Sequence, residues 1–388
     1  MCDVTSRATN IAQATDCSVW EQRRGQKTGI VAASGNVRCL GGSTAGGITR
    51  EGPRSVMPKL SRSLINKIIC GDAKRILQKL PGESIDCVVT SPPYWALRDY
   101  GVKGQLGLEA TFEEYVEALC SIFDEVKRVL KRKGTCWVNL GDTYSMQGNT
   151  KGRWSGYLQS KRSTRASAST AMRPHTTLPR KCLLQIPARF AIEMINRGWI
   201  LRNEIIWWKP NVMPSSAKDR FTVDFEKIFF FVKGRYYYFA QQFEPLRNPA
   251  RLQRPLVTLQ GKKKRVYGDA YVSAINPDTA EASRRRMLRT GRNKRCVWPI
   301  ATRPYRGNHF AVYPPQLVET PIKAGCPKGG IVLDPFIGSG TTALVARRLG
   351  RRFIGIELNP EYAAMAKRRL AQQTLHKSQV SGDVAAHD

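Results

Sequence analysis

The spacing of apolar residues changes character near residue 58. From Met1 to about Pro58 the chain is rich in Gly, Ser, Thr and Arg and shows no sustained period. Such a stretch has too little apolar surface to bury and is expected to be disordered. Beyond it, short apolar runs alternate with stretches of helical period. "NKIICGDA" predicts a strand ending at Gly71-Asp72, "AKRILQKL" a short helix, and "SIDCVVT" a second strand. "TFEEYVEALCSIFDEVKRVLKRKG" predicts a helix, opened by a capping box at Thr111 and Glu114 and stopped at Gly134. "TCWVNLGD" is the next strand. "LLQIPARFAIEMINRGWILRNEIIWWKP" predicts helix then strand, and "FEKIFFFVKGRYYYFA" a hairpin turning at Lys233-Gly234. Near the end, "GGIVLDPFIGSGTTALVARRLGRRFIGIELNPEYAAMAKRRLAQQ" predicts strand, Gly-rich turn, helix, strand, acidic turn and helix. Strands alternating with helices imply an α/β fold, with a doubly wound, mostly parallel sheet.

Two stretches break the pattern. Residues 146–180 are basic, rich in Ser, Gly and Thr, and aperiodic, as in a mobile surface insertion. Residues 247–306 hold sixteen Lys and Arg against only Asp269, Asp278 and Glu281, with little periodicity. The expected division is therefore an extension (1–58), a first core segment (59–145), the insertion (146–180), a core continuation (181–245), a basic region (246–307), a last core segment (308–373) and a polar tail (374–388).

Charge narrows the function. The formal net charge of +33 and the pI near 10.2 favour a polyanionic partner, and nucleic acid is the commonest one. No apolar stretch approaches the ~20 residues of a membrane-spanning helix. The polar start lacks the apolar core of a signal peptide. A cytoplasmic location is expected in a prokaryote or virus, and a nuclear one in a eukaryote. The ten cysteines are scattered with no C-x-x-C, which speaks against a metal site and suits free thiols in a reducing compartment.

The chemistry gathers at two strand ends. In "IVLDPFIGSGTTALVARRLG" an apolar strand delivers Asp334, Gly338, Ser339 and Gly340 let the backbone pass close to a ligand, and Thr341 and Thr342 open a helix. A second strand ends in Glu357, where a nucleotide-binding sheet places an acid on ribose hydroxyls. The turn carries neither Gly-Lys-Ser/Thr nor G-x-G-x-x-G, so it is neither a P-loop nor a nicotinamide fingerprint. In "VVTSPPYWALRDYG" the prolines fix the backbone with carbonyls outward, and Tyr94 offers a ring to a flat partner. Trp95 either walls that pocket or packs the following helix. Ligands bind beyond the carboxyl ends of such strands, so Ser91-Pro92-Pro93-Tyr94 and Asp334 to Gly338 would share one crevice.

With these residues the chain resembles the S-adenosylmethionine-dependent DNA amino-methyltransferases. One family signature is Asp/Asn/Ser-Pro-Pro-Tyr/Phe, here Ser91, Pro92, Pro93 and Tyr94; the other is Asp-Pro-Phe-x-Gly-x-Gly-Thr-Thr, here Asp334 to Thr342. The order of the two, with the basic region between them, resembles the β group. The resemblance runs from about Ile68 to Leu370 apart from the insertion and implies a Rossmann-like methyltransferase sheet. It implies that Asp334, Phe336, Gly338 and Gly340 cradle the methionine part of S-adenosyl-L-methionine, with Phe310 and Pro314 near that end. Glu357 would lie at the ribose, Asp72 would face the adenine amine, and Pro335, Ser339, Thr341 and Asn359 would also bind the cofactor. The region 246–307 would recognise double-stranded DNA, with Lys262, Lys263, Lys264, Arg265, Arg284, Arg285 and Arg286 as candidate contacts.

The resemblance also implies a reaction. An exocyclic amine, held by Ser91 and the Pro92 carbonyl, attacks the methyl group, the base having flipped out to stack on Tyr94. Serine in first position leans toward cytosine N4, with adenine N6 as the alternative. A binding protein with a dead cofactor site and an RNA methyltransferase are further alternatives. No Pro-Cys pair supports methylation at cytosine C5. A restriction endonuclease for the same site is a possible partner. A protein starting at Met57 is expected to keep full activity.

Overall fold

The computed structural model describes residues 60–145, 176–250, 277–302 and 313–383, with only the backbone described at 277–281 and 373–383. The extension 1–58, most of the insertion, Lys262, Lys263, Lys264, Arg265 and Phe310 lie outside the described residues. All described residues belong to one compact unit, Val56–Asp388.

Ten strands are described: β1 (Lys67–Cys70), β2 (Ile85–Thr90), β3 (Leu130–Leu140), β4 (Ile200–Trp208), β5 (Phe225–Val232), β6 (Phe243–Glu244), β7 (Arg292–Asn293), β8 (Val297–Pro299), β9 (Ile331–Asp334) and β10 (Arg352–Glu357). Eight of them form one sheet in the order β1-β10-β9-β2-β3-β5-β4-β8, while β6 and β7 pair separately. Only β5 runs against its two neighbours; the other pairings in the large sheet are parallel. The helices are α1 (Ala73–Lys79), α2 (Phe112–Val129), α3 (Ile186–Asn196), α4 (Pro277–Thr290), α5 (Pro315–Gly325), α6 (Thr341–Arg348) and α7 (Pro360–Asp383). None of the described helices is long and apolar enough to cross a membrane.

The period-2 alternation of strand side chains sorts the core into two layers. Phe229, Phe231, Cys136 and Val138 face α1, α2 and α3 on one side. Trp137, Phe230 and Val332 face α5, α6 and α7 on the other. Trp137 and Phe230 are cross-strand partners, stacked at 3.9 Å. The sheet is thus doubly wound, as its sequence pattern predicts.

Four expectations change. Helix α2 has the expected capping box but ends at Val129, five residues before Gly134. Leu130 leaves the helix at φ −70°, ψ 133° and starts β3 directly. Gly134 instead lies where the β2–β3 register shifts, between the Ile85–Leu130 and Cys87–Thr135 pairs. The expected hairpin at Lys233-Gly234 is absent, because the chain after Val232 forms no strand up to Phe243. Its backbone bonds instead run from Tyr238 N to Lys133 O and from Ala240 N to Ala324 O. β5 instead pairs antiparallel with β3 and with the strand that precedes it, β4, across residues 209–224. The basic region is not wholly aperiodic, since it contains α4, a polar helix that no apolar stripe announced. The tail is shorter than expected, as α7 continues to Asp383.

Candidate active site

The carboxyl ends of β1, β10, β9, β2, β3 and β4 lie along one edge of the sheet, and β5 enters from it. Asp334 ends β9 there with 1% of its surface exposed. Its Oδ1 accepts from Thr90 Oγ1 at 2.6 Å and from Phe336 N at 3.0 Å. Its Oδ2 accepts from Thr342 Oγ1 at 2.5 Å and from Tyr313 OH at 3.1 Å. Tyr313 and Thr342 also bond each other. Four donors fill the carboxylate's lone-pair positions. Asp334 is therefore a knot that ties β2, β9, α6 and the start of α5 together; its side chain is committed to the protein itself. Burial holds its carboxyl above the usual range, against the pull of the four donors.

The glycine turn follows. Gly338 and Gly340 sit at φ 49° and 87°, and Gly340 opens α6. A Cβ on Gly340 would come within 3.0 Å of Ala366, so helix α7 presses on the turn. Ser339 and Thr341 are buried, and Arg369 of α7 donates to Ser339 O, Ser339 Oγ and Thr341 Oγ1. Their hydroxyls therefore face α7. Pro335 is buried and Phe336 half-buried. Glu357, ending β10, accepts from Gly338 N at 2.8 Å and from Asn359 N at 2.9 Å, and burial raises its carboxyl. Asn359 Oδ1 in turn accepts from Glu361 N. Asp72 caps α1 through Arg75 N at 2.8 Å, one residue past Gly71, whose amide donates to Glu357 O. Pro314, buried, precedes α5.

Ser91 follows Thr90 on the next strand. Its hydroxyl lies 3.4 Å from Tyr94 OH and 3.4 Å from Asn139 Nδ2. Tyr94 OH donates to Glu226 Oε2 at 2.6 Å, and Asn139 Nδ2 donates both to Tyr94 OH and to Glu226 Oε2, each at 2.7 Å. Lys209 donates to the other oxygen of Glu226. Burial, then the Glu226 charge, hold the Tyr94 hydroxyl well above the usual tyrosine range. Gly141 is required here, because a Cβ would meet the Tyr94 ring at 2.5 Å. Asn139 Oδ1 is buried and has no hydrogen-bond partner among the described residues. Thr90, Trp137, Asn139 and Tyr313, among others, line a small recess between the two clusters. Trp95 takes the packing role: it is buried, donates to Glu109 O and meets Phe112 edge-on. Thr90, Asn139, Lys209, Glu226 and Tyr313 went unnoticed in the sequence.

Among the described basic residues, Arg284, Arg285 and Arg286 lie on α4, away from any apolar core. Arg286 reaches Gln241 Oε1 at 3.0 Å.

The cofactor edge suits a nucleoside joined to an amino acid. It has a glycine turn with positive φ, a half-buried acid at the neighbouring strand end, a second half-buried acid at Asp72, and half-exposed aromatic surface at Phe336 and Tyr100.

Residues 85–368 match the DNA methylase model of the N6/N4 methyltransferase family. The chain is 40% identical to the Type II methyltransferase M.SmaI of Serratia marcescens, over 79% of this chain and 91% of the relative. It is equally similar to M.Cfr9I of Citrobacter freundii, over 77% and 86%. Among solved structures it resembles the cytosine-N4-specific PvuII DNA methyltransferase, 22% identical, with a TM-score of 0.49 over 77% of this chain and 84% of that one. It also resembles the M1.HpyAVI–SAM complex, 19% identical, with a TM-score of 0.41 over 78% and 98%. The chain belongs to the N6/N4 family of DNA methyltransferases, whose methyl donor is S-adenosyl-L-methionine.

Proposed function

We propose that the protein methylates N4 of a cytosine flipped out of a specific site in duplex DNA. The observation that carries this reading is the Thr90–Asp334 bond. It joins the strand that delivers Ser91 to the strand that delivers the cofactor turn. When bound at that turn, S-adenosyl-L-methionine supplies an electrophilic methyl group. The protein's part is positioning and electrostatics. Ser91 Oγ and the Pro92 carbonyl accept the amine's N–H groups and bias the nitrogen toward sp³ geometry. Asn139 Oδ1 is a third acceptor near the same place. Tyr94, fixed at its hydroxyl, offers the ring on which the base stacks. Glu357, Asp72 and Asn359 hold the nucleoside end, and Phe336, Gly338 and Gly340 the methionine end.

Serine in first position favours cytosine; an N6-methyladenine product would replace the substrate but not the machinery. Digesting DNA from expressing cells to nucleosides, with mass spectrometry, decides between the two. Relatives named Type II methyltransferases support a restriction endonuclease of the same specificity as partner. Arg284, Arg285 and Arg286, with Lys262, Lys263, Lys264 and Arg265, would contact phosphates. Neutralising either set should flatten the salt dependence of DNA binding by about 0.9 in log–log slope per lost contact.

A further inference from the structure

The segment joining β4 to β5, residues 209–224, starts and ends on the catalytic edge. Lys209 at its start and Glu226 just past its end form the ion pair that holds Tyr94. Its conformation is pinned on several sides. Lys209 N donates to Asp224 O at 2.7 Å, Trp208 Nε1 donates to Asp224 Oδ2 at 2.9 Å, and Asn211 bonds both N and O of Thr302. Lys181 pairs with Asp219 at 2.5 Å, and the Arg220 guanidinium lies 3.8 Å over the ring of Tyr144, five residues after Asn139. Yet this pinned segment leaves Phe221 97% exposed, beside Met213 at 61% and Val223 at 44%. An anchored loop that holds a phenylalanine wholly in water, next to a cation and at the mouth of a catalytic edge, needs a partner with apolar interior and anionic exterior.

Base-paired DNA has that chemistry. We propose that Phe221 is a wedge that enters the base stack where the target base leaves it, while Lys218 and Arg220 face the flanking phosphates. Apolar side chains inserted between base steps are a general means of unstacking a duplex. The formal charge of +33 favours DNA over a second copy of the chain as occupant. The inference rests on the proposed flipping of a duplex base.

The test compares Phe221→Ala, Phe221→Leu and the wild type on two duplexes carrying the site found by base-resolved sequencing. One has the target base paired, the other has it opposite an abasic position. Loss of the wedge should slow methylation of the paired duplex by about tenfold or more, and Leu should restore most of the rate. The unpaired duplex should be methylated at nearly the wild-type rate, because its base needs no help in leaving the stack. Equal slowing on both duplexes, or none on either, overturns the wedge. So does a fall in sedimentation mass on Phe221→Ala, which would make the patch a contact between copies. If the wild type methylates the unpaired duplex but not the paired one, it is the proposed flipping of a paired base that fails.

Discussion

Two carboxylates hold the candidate active site, and they are kept in opposite ways. Asp334 is buried with hydroxyl and amide donors and, among the described residues, no cation paired with it, whereas Glu226 is neutralised by Lys209, each side chain of that pair being 17% exposed. Hydrogen bonds to an acceptor fix direction, and every one of Asp334's donors comes from a different place in the chain. An ion pair fixes charge and position but tolerates sliding. The side proposed for the cofactor is thus built as a rigid joint. The side proposed for the target base is a charged network with Ser91 at its loose end, at 3.4 Å from both neighbours. The difference suits the two proposed ligands: one fixed cofactor, and one base that must arrive from a duplex.

Removing Asp334 should have the largest effect. Asp334→Ala removes the acceptor of three hydroxyls and one backbone N–H in a buried site; Tyr313 and Thr342 keep each other, while the Thr90 hydroxyl and the Phe336 N–H lose their partner at a cost of about 1–3 kcal/mol each. The expected outcome is a large fall in melting temperature and loss of S-adenosyl-L-methionine binding by calorimetry. Asp334→Asn keeps one acceptor oxygen, and hydroxyls can rotate to meet its amide, so most of the fold should survive. An alanine variant that melts like the wild type would show that the joint is not rigid.

Breaking the ion pair should act on rate more than on fold. Glu226→Gln leaves Lys209 without its anion and slackens Tyr94 and Asn139, so kcat should fall by up to about 10²-fold, as expected for displaced reacting groups. KM for DNA should move little. Adding Lys209→Met to Glu226→Gln removes the stranded cation and should recover part of the melting temperature. If the double variant is as unstable as the single one, the pair does not act as a unit.

The contrast bears on what could be read from the chain. The strand carrying Asp334 and the one carrying Thr90 were legible because they are continuous apolar runs ended by acid, glycine or proline. The helix start at Thr111 was legible because a capping box is local. Glu226 and Lys209 were not, because their meaning depends on pairing between β3, β4 and β5, and no local period records register. Asn139 interrupts an apolar strand, but a polar residue there reads equally as the end of a strand. The predicted hairpin at Lys233-Gly234 failed for a related reason: "RYYYFA" has β-propensity, but the neighbouring position in the sheet is taken by β4. Helix α4 carries no apolar stripe for a local period to record: Arg285, Arg286 and Arg289 are exposed and Arg284 is half-buried.

Tyr94 sharpens the comparison from the target side. Tyr94→Phe removes one hydroxyl, and Asn139 still donates to Glu226, so kcat should fall by only a few-fold. Tyr94→Ala removes the ring as well and should cost about 1–3 kcal/mol in transfer, with duplex affinity held. A phenylalanine variant as damaged as the alanine one would mean that the hydroxyl, and not the stack, carries the residue's role.

The smallest effect is in pH. Burial raises the Asp334 carboxyl from its ordinary value of 3.8, and no cation offsets it. A carboxyl whose folded pKa exceeds its unfolded pKa binds protons more tightly when folded. Its contribution to stability is complete below the unfolded value and is lost as pH rises through the folded one. Asp334→Asn cannot titrate and serves as the reference; Glu357, raised mainly by burial, is present in both proteins, and the part of its shift that the Asp334 charge adds acts in the same direction. The melting temperature of the wild type should therefore improve relative to Asp334→Asn as pH falls from about 8 toward about 4. A slope of the opposite sign would mean that four donors alone stabilise the anion as well as a lysine does, and the two carboxylates would no longer differ in kind.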